Sequence, residues 1–152
     1  MNRPTYKNLQ ASEDLQTFVF ISDGRRGQIK KAVEYTPIDI DNNIYNLGFG
    51  TLNEDYSIAG NDRTNNGDIN KVLSTVAKTI DVYTHFYPSR KIYFTGYMPQ
   101  LTKIYNRAIS ANYHLIDQNY YIYGDNDDRE DHYSFEDFVL GKTYYGFLLQ
   151  RR

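Results

Sequence analysis

Residues 91–113 read KIYFTGYMPQLTKIYNRAISANY. From Lys91 to Thr95, charged or tyrosyl residues alternate with Ile92 and Phe94, the period of two expected of a strand with one buried face. Gly96 breaks the pattern. Pro99 then suits the first helical position, where its missing N–H leaves no bond unmade, and Leu101, Ile104, Tyr105, Ala108 and Ile109 recur at three- and four-residue spacing. A strand, a Thr-Gly break and an amphipathic helix therefore follow one another without a linker.

Upstream, Asn66 or Asp68 suits an N-cap, and Ile69, Val72, Leu73, Val76, Ile80 and Tyr83 form the apolar stripe of an earlier helix that Pro88 stops. Residues 15–22, around Phe18 and Phe20, read as a strand. Asp23-Gly24-Arg25-Arg26-Gly27 supplies the glycines of a hairpin loop, and residues 28–37 return antiparallel. A turn at 39–43 leads into a third strand, 44–52, in which Tyr45, Leu47 and Phe49 alternate with smaller residues. Residues 54–68 read as a long loop. Downstream, 114–119 is a connection, 120–123 a strand, 125–136 an acidic loop and 144–150 the last strand. The order β-β-β-α-β-α-β-β predicts one α+β domain over residues 1–152. Its architecture is a two-layer sandwich, a mostly antiparallel sheet with two helices packed on one face, with room for one parallel βαβ step.

The chain has 152 residues, 40% of them hydrophobic and 24% charged, which suits a globular core rather than disorder. Sixteen tyrosines and eight phenylalanines, with no tryptophan, mean that tyrosines enter the core; several are expected at its edge with the oxygen in water. A net charge of −2 provides no general field for nucleic acid. The absence of cysteine excludes disulfides, thiolate metal sites and thiol nucleophiles. The opening MNRPTYKNLQ lacks the apolar core of a secretion signal, and no apolar run approaches about 18 residues, so a cytoplasmic protein without membrane association is expected.

Several distinct clusters are spaced along the chain: Gly27 with Ile29-Lys30-Lys31, Tyr45-Asn46-Leu47 with Phe49-Gly50, and Asn65-Asn66-Gly67-Asp68 with Lys71-Val72-Leu73. To these add Thr95-Gly96 with Thr102 and Tyr105, and the closing Tyr145 with Phe147-Leu148. Together they resemble an uncharacterised family of small bacterial proteins, known only as a domain of unknown function, in which a strand and Thr-Gly lead into a helix. Where that family places small hydroxyl residues and an arginine after the glycine, this chain has Tyr97, Met98 and Leu101. The resemblance implies the fold and a bacterial, cytoplasmic setting, and it brings no established activity.

The free N–H groups at the start of the second helix form a candidate anion site with Thr95, Gly96, Tyr97, Thr102 and Lys103. A structural strand-to-helix turn is the plain alternative. Arg25, Arg26, Lys30 and Lys31 are the densest basic cluster, a candidate for single-stranded nucleic acid, set against a solvated hairpin tip. Asp125, Asp127 and Glu136 match positions 1, 3 and 12 of a calcium loop, but Arg129 occupies position 5 and Glu130 the glycine position, so a solvated acidic loop is expected. His85, His114 and His132 lie in separate segments without paired metal spacing. No metal and no cofactor are expected. The function expected is a small binding or interaction domain, one member of a bacterial operon pair such as toxin and antitoxin, acting through a protein partner or self-association. The competing class is an enzyme acting on RNA or a phosphorylated small molecule at the helix start.

Overall fold

Alternation along residues 17–24 buries Phe18, Phe20 and Ser22 on one side of a strand while Val19 and Ile21 stay half-exposed on the other. The computed structural model describes residues 4–59, 66–96 and 99–152. The elements are β1 (Gln10–Ala11), β2 (Thr17–Gly24), β3 (Gly27–Asp39), β4 (Ile44–Leu52), β5 (Ile58–Ala59) and α1 (Ile69–Phe86). Then come β6 (Lys91–Thr95), α2 (Pro99–Ala111), α3 (Tyr113–Asn119), β7 (Tyr120–Asp125), β8 (Phe135–Asp137) and β9 (Gly146–Arg151). The strands follow the sheet order β1-β2-β3-β4-β6-β9-β7-β8, with β5 beside β4. Pairing is mostly antiparallel, and β4 and β6 run parallel, Tyr45 opposite Ile92.

The fold is thus mixed α+β, with three helices among the described residues where the sequence pattern predicts two. Residues 114–119, expected as a connection, fall within α3, whose two turns are too short to display a periodic stripe. β5 lies inside the expected 54–68 loop, and β8 begins at the end of the expected acidic loop and runs one residue past it; strands of two or three residues carry no readable alternation.

The chain forms two compact units, Met1–Thr36 with Leu47–Tyr87 and Pro37–Asn46 with Pro88–Arg152. In the first, β2 pairs with β3 so that Phe18 faces Val33, Phe20 faces Lys31 and Ser22 faces Ile29. Phe18 stands edge-on to Tyr35, and Tyr35 stacks on Tyr83 of α1 with ring centroids 4.0 Å apart. Burying each such ring contributes about 2–3 kcal/mol. α1 buries Val72, Val76, Ile80 and Tyr83 of the expected stripe, but Ile69 is exposed and Ser74, Thr75, Thr79 and Thr84 are buried instead. Tyr121 and Tyr145 are exposed, whereas the fully buried Tyr35 and Tyr83 take protein partners for their hydroxyls, one of them Thr79. Tyr35 Oη shares a 2.8 Å hydrogen bond with Thr79 Oγ1, and Tyr83 Oη donates to Gln16 Oε1 at 3.2 Å. Asp68 occupies the N-cap position without capping. Its carboxylate instead accepts from the hydroxyls of Tyr6 and Ser22, the latter at 2.6 Å.

In the second unit, β9 lies between β6 and β7, Leu149 opposite both Ile92 and Ile122. α2 places Tyr105 edge-on to Phe94 and buries Ile109. Tyr113 of α3 stacks on Phe138, which also packs on Tyr144 and Phe147.

Candidate functional site

β6 ends at Thr95 and α2 begins at Pro99, as the strand, glycine and proline pattern requires. Thr95 Oγ1 donates to the Tyr145 carbonyl at 2.5 Å, tying the end of β6 to the start of β9. A Cβ on Gly96 would lie 2.6 Å from Thr102 N and 2.8 Å from Thr102 Oγ1, so the first turn of α2 rests directly on this glycine. One turn further, Asn106 clamps the backbone of Tyr144: Nδ2 donates to its carbonyl at 2.9 Å and Oδ1 accepts its N–H at 3.0 Å. Nδ2 also donates to the Thr102 carbonyl at 2.8 Å. Thr95, Gly96 and Thr102 therefore come together, with Lys103 exposed on the same helical turn. Tyr97, the remaining residue of the expected anion site, lies outside the described residues.

Two residues before Thr95 lies a feature that sequence reasoning missed. Tyr93 Oη donates to Asp125 Oδ2 at 2.9 Å, although β9 runs between their strands. The crossing is possible because Gly146 lies beneath the phenol; a Cβ there would stand 2.5 Å from Tyr93 Oη. Asp125 is fully buried, and its other oxygen accepts the N–H groups of Asp127 at 3.0 Å and Ser134 at 2.9 Å. The rings of Tyr133 and Phe135 close over Tyr93, with centroids 5.1 and 6.0 Å away. Burial, reinforced by the hydrogen bond to Asp125, pushes the Tyr93 phenol far above its ordinary value and keeps it a donor. Gly146 at the start of a strand was the available signal, since glycine there marks the close approach of another group.

The basic cluster does not share one face. Arg25, Arg26 and Lys30 are exposed, while Lys31, one residue on, is buried with Nζ donating to Thr51 Oγ1 at 2.8 Å near the Phe49 ring. Period-two geometry separates neighbouring strand residues in this way. The hairpin tip is clasped by Asn66: its Oδ1 accepts the Arg26 N–H at 2.6 Å, and its Nδ2 donates to Ser22 Oγ at 3.0 Å and to the Gly27 carbonyl at 2.9 Å.

In the acidic loop, Asp127 pairs with Arg129 and Glu136 with Lys142, and these hydrogen-bonded cations hold both carboxyls down to about 2. Among the described residues, no group of three or more His, Asp or Glu side chains is disposed to hold a metal ion. No helix among them is long and apolar enough to cross a membrane.

The chain is of mixed α+β class, with β6 ending at Thr95, Gly96 following it and α2 beginning at Pro99. Residues 2–152 match the model of the family of unknown function DUF6934, and the chain belongs to that family. No curated protein and no solved structure matches it.

Proposed function

We propose that this chain is a binding or interaction domain, acting in the bacterial cytoplasm on a protein partner encoded beside it, in the manner of a toxin and antitoxin pair. One observation carries the reading. Val139 and Leu140 are adjacent and 53% and 56% exposed, on a turn of fixed shape. The Val139 N–H donates to Tyr144 Oη at 3.0 Å and the Lys142 N–H to the Val139 carbonyl at 3.1 Å, while Gly141 takes φ +92°. An exposed aliphatic pair carried on a backbone already held in one shape loses little further backbone entropy on binding, which favours a contact surface. The test is co-expression with the product of the neighbouring gene, followed by size-exclusion chromatography. Co-elution that Leu140→Asp abolishes, with the melting temperature unchanged, supports the reading; a native chain whose elution ignores its neighbour removes it.

A second reading, an enzyme acting on RNA or a phosphorylated small molecule, is favoured by the seating of Thr102 on Gly96 beside the exposed Lys103. Titration with phosphate and mononucleotides, followed through the Gly96, Thr102 and Lys103 amides by NMR, separates the two. Shifts there favour the enzyme; no shift at millimolar ligand leaves Gly96 as a turn residue.

A further inference from the structure

The first unit carries two hairpin tips of similar backbone shape and opposite charge. In the β2–β3 tip, Arg25 and Arg26 lead into Gly27 at φ +87°. In the β4–β5 tip, the Tyr56 N–H donates to the Asn53 carbonyl at 3.0 Å, the Asn53 N–H donates to the Ser57 carbonyl at 2.8 Å, and Tyr56 takes φ +68°. This is a type I turn closed by a left-handed residue, a position that glycine or asparagine fills at least cost. The chain places a tyrosine there.

Comparison with the other positive-φ residues makes Tyr56 stand apart. Asn43 and Asp131 are of types that tolerate the left-handed region, and Leu15 is half-buried. Tyr56 has neither compensation: it is 85% exposed. A strained backbone presenting an aromatic ring to water weakens the free chain, which is the mark of a residue kept for a contact. Glu54 and Asp55 precede it, both exposed.

Both tips emerge at the same end of the sheet. β3 begins at Gly27, its neighbour β4 ends at Leu52, and Lys31 Nζ bonded to Thr51 Oγ1 ties those ends together. An anionic tip bearing tyrosine thus stands near a tip bearing Arg25, Arg26 and the nearby Lys30, with Asp23 the only carboxylate of its own turn. The Asn66 clasp fixes the cationic tip in advance. Such a surface is complementary to itself under a two-fold rotation, because each copy offers what the other lacks.

We infer that a second copy of this chain docks here, Tyr56 of each copy lying over the Arg25–Arg26 tip of the other with Glu54 and Asp55 facing those cations. This surface is separate from Val139 and Leu140, so either contact can fail alone.

Sedimentation equilibrium of the full chain, over a range of concentration at low and at high salt, tests it. A dimer that weakens in high salt is expected. Tyr56→Asn should raise the dimer dissociation constant roughly thirtyfold, as loss of an interface anchor does. The same variant should raise the melting temperature of the monomer by about 3 °C through relief of strain, a combination that loss of folding does not produce. Arg25→Glu with Arg26→Glu should give a monomer, as should Glu54→Lys with Asp55→Lys, and mixing these two double variants should restore a dimer. A chain that is monomeric at every concentration, or a dimer indifferent to all three changes, overturns the inference.

Discussion

Tyr93 and Asp125 lie on strands separated by β9, and the phenol reaches across Gly146 to donate to the buried carboxylate at 2.9 Å. The same carboxylate holds both ends of the segment between Asp127 and Ser134. One side chain therefore links the sheet to the acidic loop, and its loss would be felt in both.

Tyr93→Phe keeps the ring and removes the hydroxyl, leaving Asp125 one donor short. Loss of a hydrogen bond to a charged group costs about 1.5–3 kcal/mol. The pH dependence has a definite sign. The folded phenol titrates above its unfolded value of 10.0, so its stabilisation is complete below that pH and is lost as pH rises further. Urea denaturation should show the substitution costing most at neutral pH, with a shallower alkaline decline. Tyr6, Tyr133 and Tyr144 are also raised, chiefly by burial, so some decline should persist.

Asn66→Asp preserves an acceptor for the Arg26 N–H but removes both donors, those to Ser22 Oγ and the Gly27 carbonyl. It also sets a carboxylate beside that carbonyl. A cost of about 3 kcal/mol is expected at neutral pH. Hydrogen exchange at the Arg25 and Arg26 amides should accelerate more than at Val33 or Tyr35, which the strand ladder and α1 hold.

Gly96→Ala introduces a Cβ 2.6 Å from Thr102 N, a backbone atom that no side-chain rotation can move away. The first turn of α2 must shift, at a cost of about 1–3 kcal/mol. Amide chemical shifts should change at Thr102 and Lys103 and stay constant in the β2–β3 hairpin. Unchanged shifts at Thr102 would show that the glycine is not needed for the seating of α2.

The Glu136 carboxyl is held at about 2 chiefly by its hydrogen bond to Lys142. Its folded value is depressed, so its contribution is present above the unfolded value of 4.5 and fades as pH falls toward 2. The pair is exposed, and salt should screen it. Carboxyl NMR should place the Glu136 midpoint well below that of a free glutamate, returning toward it in Lys142→Met.

The junction of β6 and α2 was legible because its signals are local: alternation around Ile92 and Phe94, a glycine, then a proline at the first helical position. α1 and the hairpin of β2 and β3 were legible for the same reason. The Lys30–Lys31 pair shows where local reading stops short. Sequence makes it one basic patch, but the pleat sends one residue into water and the other toward Thr51. The tyrosines show the same limit from another side. Composition says only that many rings must be buried; that Tyr35 meets Thr79 and Tyr93 meets Asp125 depends on residues 44 and 32 positions away. Of the proposed anion site, spacing located Thr95, Gly96 and Thr102, but not the use of Thr95 Oγ1 by the Tyr145 carbonyl.

The strand order ends at β1 and β8, which are two and three residues long. β7 begins Tyr-Tyr-Ile-Tyr, an aromatic run without proline that would template cross-β stacking if it formed an open edge. β8 pairs with the far end of β7, Asp137 opposite Tyr123 and Phe135 opposite Asp125, and the Phe138 N–H reaches the Ile122 carbonyl; it is too short to recruit a further strand and carries Glu136 and Asp137. A short acidic strand at this edge is the form that opposes addition of a further strand, in a chain that carries sixteen tyrosines.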